Sequence, residues 1–297
     1  MPAPADPPAS PAADRSRWRD LRKRVLSAVL LGPAALLCIW VGAAAWIALM
    51  AVAVSVLAWE WVRLCGFSTW RLPGLVVPLS VLAAGGLAVA GLWAPALGLL
   101  PAGAVLVRLL QPPPAGTDAR THEGITPGAW LGFGVVYIGL AGLALIRLRG
   151  DATAGLGNVL FLFLVVWASD IGAYMFGRWL GGPKLAPAVS PNKTWSGAAG
   201  GLLSAMAVGA AAPYVTESDG VMVFLPRVLI VALLLGLVAQ AGDLFESWIK
   251  RRFHVKDTSS LIPGHGGLLD RLDAVLAAAP VAALIAILLG SGRALWQ

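Results

Sequence analysis

The sequence predicts an all-α, polytopic membrane protein, and three observations lead to that prediction. Hydrophobic residues make up 58% of the 297 positions and charged residues only 12%, whereas roughly a quarter of a soluble domain is charged. The apolar residues fall into continuous runs of about 20 residues, the length that an α-helix needs to cross a bilayer. Within these runs, polar and apolar positions do not alternate as they would in the strands of a membrane barrel. We therefore expect a bundle of transmembrane helices.

Breaks at proline, glycine and charged residues divide the apolar runs into about nine predicted spans. They cover 25–43, 44–62, 73–92, 93–110, 126–146, 156–177, 196–214, 222–247 and 273–292. If the N-terminus is cytosolic, nine crossings leave 18 of the 22 basic residues on the cytosolic side, and only Arg147, Arg149, Arg227 and Arg293 lie outside. Because Lys and Arg are enriched in cytosolic loops, the sequence favours this orientation.

Composition divides the chain into four segments. Residues 1–21 are rich in Pro, Ala and polar groups and predict a disordered cytosolic tail, since they cannot bury enough apolar surface to fold. Residues 22–110 hold the first transmembrane helices, 111–124 form a flexible Pro- and Gly-rich cytosolic connector, and 125–297 form a second transmembrane domain with most of the chemistry. The net charge of +7 is typical of cytosolic loops beside anionic lipids, so we predict membrane lipids and no nucleic acid as partners.

Apart from Asp273 at the first position of the last span, four carboxylates fall inside the predicted spans, where charged groups are costly and functional by default: Glu60, Asp170, Asp243 and Glu246. Asp170 lies roughly 12 Å from the cytosolic end of its helix, at 1.5 Å per residue. We expect it to be functional, and the alternative is a carboxylate paired with a neighbouring helix. Glu60 lies between two tryptophans near an interface, and we interpret it as a snorkelling anchor, with a dimer contact as the alternative.

The loop that follows the Asp170 helix is rich in polar groups. Its string SPNKT supplies Ser190, Asn192, Lys193 and Thr194, close to glycines and prolines that favour turns. Successive backbone N–H groups in such turns can face an anion, and Lys193 adds a point charge. The pattern predicts an anion-binding loop, and the alternative is a solvated cytosolic loop. The small residues that follow, 196–201, allow close packing of helices.

A polar stripe at helical spacing marks the eighth predicted span. Asp243, Glu246, Ser247 and Lys250 follow the spacing i, i+3, i+4 and i+7, so they project from one face of a helix. A stripe of this kind facing lipid would be very costly, so it must face other helices or a water-filled cavity. Beyond it come further polar and glycine residues: Arg251, Lys256, His265, Gly266, Gly267, Asp270, Arg271 and Asp273.

These residue types suit chemistry on phosphates at the membrane surface. Asp270 and Asp273, at spacing i and i+3, offer oxygen ligands to hard divalent cations, which commonly keep substrate phosphates in their coordination shell. The glycines beside His265 let the backbone approach a ligand closely, and His265 itself is either an acid–base group or a hydrogen-bonding loop residue. Carboxylates beside a cationic, glycine-rich surface are typical of phosphoryl or nucleotidyl transfer.

The string SWIKRRFHVKDTSSLIPGHGGLLDRLD, residues 247–273, resembles the signature of the integral-membrane phosphatidate cytidylyltransferases, also called CDP-diacylglycerol synthases. The upstream strings ASDIGAYMFGRWLG and SPNKTWSG are also similar to that family, so the resemblance covers roughly 167–273. It implies that CTP and phosphatidate react to give CDP-diacylglycerol and pyrophosphate, with one or two Mg²⁺ ions. It further implies a bacterial inner-membrane protein with a cytosol-facing site, and a homodimer as a family-level expectation.

The resemblance also implies roles for individual residues. The implied catalytic residues are Asp243, Asp270, Lys250, His265 and Asp170, and the implied metal ligands are Asp243, Asp270, Glu246 and Asp273. The implied substrate-binding residues are Ser190, Asn192, Lys193, Thr194, Ser247, Arg251, Lys256, Gly266, Gly267 and Arg271. The expected step is in-line attack of a phosphatidate oxygen on the α-phosphorus of CTP.

Two alternative functions stay open at this point. One is a CTP-dependent kinase for a lipid alcohol, which would transfer the γ-phosphate and release CDP. The other, from a different class, is an ion-coupled transporter or flippase that uses Asp170 and Asp243. The transporter is disfavoured because the polar residues cluster at one face of the membrane instead of lining a path across it.

Overall fold

The structure is a computed structural model that describes residues 32–111, 126–216, 224–262 and 266–297. Within these residues the chain forms nine α-helices and one two-stranded hairpin. The predicted tail 1–21, residues 112–124 of the predicted connector, and His265 lie outside the described residues. The predicted helical class is confirmed, and the hairpin is an addition that the sequence did not indicate.

The helices are numbered here in chain order. Their bounds are α1 Gly32–Val41, α2 Ala43–Leu64, α3 Val76–Val89, α4 Trp93–Leu109, α5 Pro127–Arg149, α6 Gly155–Leu180, α7 Trp195–Thr216, α8 Leu225–Arg252 and α9 Leu269–Leu289. The hairpin lies between α6 and α7, and pairs β1 (Lys184–Ala186) antiparallel to β2 (Ser190–Thr194). Six of the described helices, α2 and α5 to α9, are long and apolar enough to cross a membrane, whereas α1, α3 and α4 are shorter. These six helices indicate an integral membrane protein.

Helix α5 lies at the centre of the bundle and is the most buried of the six long helices. Its glycines permit that position, because neighbouring side chains occupy the space where a Cβ would stand. The indole of Trp61, on α2, lies against Gly134 and donates a 2.9 Å hydrogen bond to the carbonyl of Trp130. The first half of the chain is therefore packed directly against α5, and one apolar cluster runs from α2, α3 and α4 to residues of α8 and α9.

Helices α6 and α7 pack closely, as the small residues at 196–201 predicted. A Cβ on Gly197 would lie 2.7 Å from the carbonyl oxygen of Ala173, and one on Gly201 would lie 2.7 Å from that of Ser169. The ring of Phe176 lies directly over Gly200. Larger side chains at these positions would push α7 away from α6 and would move the hairpin that joins them.

One end of the bundle is closed by the C-terminal segment. Asp151, between α5 and α6, accepts hydrogen bonds from the backbone N–H groups of Thr153, Ala154 and Gly292, at 2.8 to 3.0 Å. Desolvation opposes ionisation of Asp151, but the three N–H donors outweigh it and hold the pKa of the carboxyl below its ordinary value. At the same end Arg149 donates to the carbonyl of Ile39 at 2.8 Å. We call this the closed end.

The polar residues singled out in the sequence gather at the opposite end, where α8 stops and α9 starts. Helix α8 runs five residues beyond the predicted span and finishes in a Schellman motif, in which Val255 N–H donates to the carbonyl of Lys250 and His254, at φ 55°, donates to that of Arg251. Helix α9 starts at Leu269, four residues before the predicted span. As a result Lys250 and Asp270 both lie on helices, which fixes the directions of their side chains.

Candidate active site

The hairpin and α8 meet through an ion pair. Lys193 Nζ, on β2, lies 2.6 Å from Asp243 Oδ2, and the two side chains are 28% and 30% exposed. Ser247, one turn further along α8, lies at the longest hydrogen-bonding distance from Asp243, with 3.5 Å between Oγ and Oδ1. The pair is therefore reachable from solvent, and the sequence-predicted loop and helix stripe do converge.

A second lysine joins α8 to α9. Lys250 Nζ lies 3.1 Å from Glu246 Oε1 and 2.9 Å from Asp270 Oδ1. All three side chains are largely buried, with Lys250 14% exposed, Glu246 1% and Asp270 4%. Because a buried charge is costly unless it is paired, this lysine holds the two helix ends together through its two carboxylates.

The other oxygen of Asp270 organises the segment between α8 and α9. Asp270 Oδ2 accepts hydrogen bonds from Thr258 N–H at 2.9 Å, from Thr258 Oγ1 at 3.0 Å and from Gly267 N–H at 2.9 Å. The N–H of Gly267, which the resemblance assigned to substrate phosphate, is directed at this carboxylate. Gly266 adopts φ 84°, a conformation that favours glycine, and a Cβ there would lie 3.1 Å from Asp270 Oδ2.

Two further carboxylates complete an acidic group around the lysines. Asp170 interacts electrostatically with Asp243 and Lys193, and Asp273 interacts with Asp243, Asp170 and Lys250. The only hydrogen bond found at Asp273 among the described residues is 2.7 Å, from the N–H of Ala274. Five carboxylates, those of Asp170, Asp243, Glu246, Asp270 and Asp273, thus face two lysines, so the group has excess negative charge if all are ionised.

This donor set fits a hard divalent cation. All the candidate ligands are carboxylate oxygens, which Mg²⁺ prefers, and the excess negative charge calls for a cation. Both oxygens of the buried Glu246 lack a hydrogen-bond partner among the described residues, since the contact with Lys250 is an ion pair without hydrogen-bond geometry. However, no three acidic, histidine or cysteine side chains of the described residues already converge into a ready-made metal cage.

The hairpin residues predicted to bind substrate have different positions. Asn192 is exposed and Ser190 is half-buried, so both are accessible on β2. Thr194 is buried, and its hydroxyl accepts a 3.1 Å hydrogen bond from Gly197 N–H, which makes it the N-cap of α7. Arg251 donates to the carbonyl of Val189 at 3.3 Å and so joins α8 to the turn of the hairpin.

The remaining predicted residues lie at the exposed rim. Lys256 and Arg271 have exposed side chains close in sequence to the buried Lys250 and Asp270. Tyr174, one turn after Asp170, is also exposed, and its hydroxyl accepts a 2.8 Å hydrogen bond from Arg178. A rim of basic side chains around a buried acidic group can attract an anionic substrate and a metal ion together.

The interpretation of Glu60 as a snorkelling anchor or dimer contact was wrong. Its side chain is 0% exposed within a single chain, so it reaches neither the membrane interface nor a second copy. Glu60 accepts hydrogen bonds from Ser259 Oγ at 2.6 Å, from Leu268 N–H at 2.9 Å and from Leu269 N–H at 2.7 Å. The charge of Glu60 inside a predicted span did indicate buried polar partners, but these lie about 200 residues away in the sequence.

Two further polar residues were missed. Thr258 contacts Asp270 through both its backbone and its side chain. Two serines follow it in the sequence, and nothing in the sequence distinguished its hydroxyl from theirs. Gln240, one turn before Asp243, donates from Nε2 to Ser169 Oγ and to the carbonyl of Ala198, each at 3.1 Å. It therefore holds α8 against α6 and α7 beside the acidic group. A glutamine within an apolar run was the only available clue.

Comparison with known proteins identifies relatives of this chain. Residues 22–289 match the cytidylyltransferase family. The chain is 38% identical over 272 residues to a phosphatidate cytidylyltransferase of Brucella suis biovar 1 (strain 1330), covering 88% of this chain and 91% of that protein. It is 40% identical over 153 residues to a phosphatidate cytidylyltransferase of Staphylococcus saprophyticus, covering 52% and 56% of the two chains. From the match over most of its length, we conclude that this chain belongs to the cytidylyltransferase family.

Proposed function

We propose that this protein is a phosphatidate cytidylyltransferase, which converts CTP and phosphatidate to CDP-diacylglycerol and pyrophosphate in phospholipid biosynthesis. The observation that carries the proposal is the pairing of Lys193 with Asp243 and of Lys250 with Asp270 at one end of a membrane bundle. Carboxylates and lysines at a membrane surface suit a reaction between a soluble triphosphate and a lipid phosphate. The likeness to named phosphatidate cytidylyltransferases over most of the chain supports this substrate pair.

In the proposed reaction an oxygen of the phosphatidate phosphate attacks the α-phosphorus of CTP. A new P–O bond forms there while the bond from that phosphorus to the β-phosphate bridging oxygen breaks, and pyrophosphate leaves. The lipid phosphate is already largely anionic near neutral pH, since its second pKa is about 6. The protein's main tasks are therefore to align two anions and to neutralise their repulsion. Lys193 is the more accessible of the two lysines in the acidic group, and the more exposed Arg251, Lys256 and Arg271 lie at the rim.

Mg²⁺ is the proposed cofactor, held by Asp243, Asp270, Glu246 and Asp273. Among the described residues Glu246 accepts no hydrogen bond, and Asp243 and Asp273 accept one each. Asp270, in contrast, is already bound to Lys250, Thr258 and Gly267. When bound, the metal would neutralise charge on the phosphates. Asp170 contributes a further negative charge next to Asp243 and helps to retain the cation.

We further propose nine crossings with a cytosolic N-terminus, in a bacterial inner membrane. Asp151, Arg149 and the C-terminal segment share the closed end, whereas Asp243 and Asp270 lie at the opposite end, which supports opposite sides of the membrane for the two sets. The site would then face the cytosol, where CTP is available. A homodimer, expected from the family resemblance, remains a prediction that can be measured by light scattering of the purified protein.

The decisive test is product identification with purified protein, Mg²⁺, CTP and phosphatidate. We expect CDP-diacylglycerol and pyrophosphate in equal amounts. Release of CDP with transfer of the γ-phosphate to a lipid alcohol would instead establish the kinase alternative. Substrate flux across proteoliposomes without CTP, together with no nucleotide product, would establish the transporter.

A matched pair of variants tests the proposed site. Asp243→Asn removes a carboxylate paired with Lys193, whereas Asp151→Asn removes a carboxylate at the closed end. We expect Asp243→Asn to lower kcat at least about 100-fold, since electrostatic groups at the reacting centre contribute on that scale. Asp151→Asn should keep wild-type kcat. Equal activity in both variants would exclude Asp243 from the catalytic group.

A further inference from the structure

Glu60 is a fully buried carboxylate that the proposed chemistry does not use. It lies on α2, four residues before the helix ends, and no ion pair between described residues includes it. Its charge is instead stabilised by three hydrogen-bond donors, Ser259 Oγ, Leu268 N–H and Leu269 N–H, at 2.6 to 2.9 Å. A buried charge is expensive, so its presence calls for an explanation.

Glu60 supplies the N-terminal cap that α9 lacks. The N-cap position of α9 is Leu268, which has no side chain able to accept from the first-turn N–H groups. Each oxygen of Glu60 accepts one of those groups, Oε1 from Leu268 and Oε2 from Leu269. Negative charge at this position also interacts favourably with the helix dipole. The start of α9 is thus fixed by a residue of α2.

Neighbouring donors are divided between Glu60 and Asp270, a residue of the candidate active site. Three consecutive N–H groups are divided: that of Gly267 goes to Asp270, and the next two go to Glu60. Two consecutive side chains are divided in the same way, Thr258 to Asp270 and Ser259 to Glu60. Asp270 and Glu60 therefore hydrogen-bond to adjacent groups of the same turn. A Cβ on Gly267 would lie 2.7 Å from Glu60 Oε1, so the fit is close.

We infer that Glu60 is a positioning residue of the active site, which fixes the first turn of α9 and thereby the placement of Asp270 and Asp273. The inference rests on the cytidylyl transfer proposed above for that site. Glu60 does not touch the proposed reacting groups. It acts through Ser259 and the α9 backbone, so that α2, in the first half of the chain, sets the geometry of carboxylates in the second half.

The start of α9 requires a hydrogen-bond acceptor at both side-chain oxygens of Glu60, and a glutamine at this position would offer only one. A carboxylate accepts at every position, whereas an amide has one NH₂ group that can only donate. In Glu60→Gln the amide can be placed in two orientations. If its nitrogen takes the place of Oε2, the NH₂ group faces Leu269 N–H, and if its nitrogen takes the place of Oε1, the NH₂ group faces Leu268 N–H. Either way a buried donor faces a donor, and the first turn of α9 must shift.

The experiment compares Glu60→Gln with Asp151→Asn in the purified full-length protein. Asp151 is a close structural match, since it also accepts three hydrogen bonds and also joins the N-terminus of a helix to a distant segment, but at the closed end. Thermal unfolding, kcat and both KM values would be measured. We expect Glu60→Gln to lower kcat about 10- to 100-fold, the scale of a displacement of about 1 Å in a catalytic group. Asp151→Asn should change kcat less than about twofold, and because Asp151 is only half-buried it should also lose less thermal stability than Glu60→Gln.

Ser259→Ala keeps the test decisive if Glu60→Gln does not fold. It removes one of the three donors and leaves the other two, so it should lower kcat less than Glu60→Gln does, by about threefold to tenfold, the scale of one ordinary hydrogen bond. In the double variant the two effects should be less than additive, because both act on one turn. Unchanged kcat in folded Glu60→Gln, or in Ser259→Ala if the former does not fold, would overturn the inference, as would an equal loss in Asp151→Asn. An inactive wild type would instead remove the proposed function.

Discussion

Replacement of Lys250 by methionine is the most informative perturbation of the site. The methylene stem is roughly preserved, but the ammonium group that lies 3.1 Å from Glu246 and 2.9 Å from Asp270 is lost. Asp270 keeps its hydrogen bonds from Thr258 and Gly267, so most of the penalty falls on Glu246, which has no hydrogen-bond donor among the described residues. The variant therefore leaves an uncompensated buried carboxylate.

The expected loss follows from measured effects of removing one partner from a buried ion pair, about 3 to 5 kcal/mol. The entropy of unfolding is about 2.1 cal/mol/K per residue, so each kcal/mol lowers the melting temperature of this chain of 297 residues by about 1.6 °C. Lys250→Met should therefore lower Tm by about 5 to 8 °C. It should also abolish turnover, because the ends of α8 and α9 would lose the cation that joins their carboxylates.

The assay is thermal unfolding in detergent, followed by tryptophan fluorescence, together with product formation. Lys184→Met serves as the control, since Lys184 is an exposed lysine on the hairpin and its loss should shift Tm by less than about 2 °C. Addition of Glu246→Gln to Lys250→Met should recover at least about half of the lost Tm without restoring activity. A wild-type Tm for Lys250→Met, or no recovery in the double variant, would refute the reasoning.

Three further predictions concern other parts of the molecule. Gly267→Ala should lower kcat at least about tenfold, because the added Cβ would collide with Thr258 Oγ1 and Glu60. The control Gly98→Ala, on α4, places its Cβ where no atom lies within 4 Å, so kcat and Tm should stay nearly unchanged, and similar kinetics in the two variants would disprove the steric argument. The N–H donors lower the pKa of Asp151, so the carboxylate stabilises the fold at pH values above its ordinary pKa of 3.8, and this stabilisation is lost as the pH falls through the folded-state pKa. The Tm difference between wild type and Asp151→Asn should therefore shrink on acidification to about pH 3, and a constant difference would contradict this. Removal of Mg²⁺ with EDTA should abolish turnover, and added Mg²⁺ should raise the Tm of wild type but not of Asp243→Asn; an equal rise in both would remove Asp243 from the metal site.

The polar residues of α8 illustrate what a pattern can predict. Asp243, Glu246 and Lys250 share one face because helical spacing is fixed by backbone geometry, so their mutual position could be deduced from the sequence. Their partners could not. The pairing of Asp243 with Lys193 on β2, and of Lys250 with Asp270 on α9, depends on how separate elements pack, which helical periodicity does not contain.

Glu60 shows the opposite outcome. The sequence indicated correctly that a carboxylate in an apolar run is costly, but the flanking tryptophans suggested an interface and led to the wrong interpretation. The bonds that stabilise its charge come from residues 199 to 209 positions away, two of them from backbone N–H groups, which are present at nearly every position and give no signal in a sequence.

The sequence alone indicated the helical membrane class, the family resemblance, and residue types that predict a phosphate- and metal-binding site. It could do so because apolar run length, helical spacing and a dense polar motif are local properties of the chain. The packed structure was needed to show which carboxylates share Lys250, that Gly267 N–H is directed at Asp270, and that α2 caps α9 through Glu60. These contacts join distant segments, and they are selected by the need to satisfy buried charges and backbone donors, a requirement that can be resolved only when the packed elements are seen together.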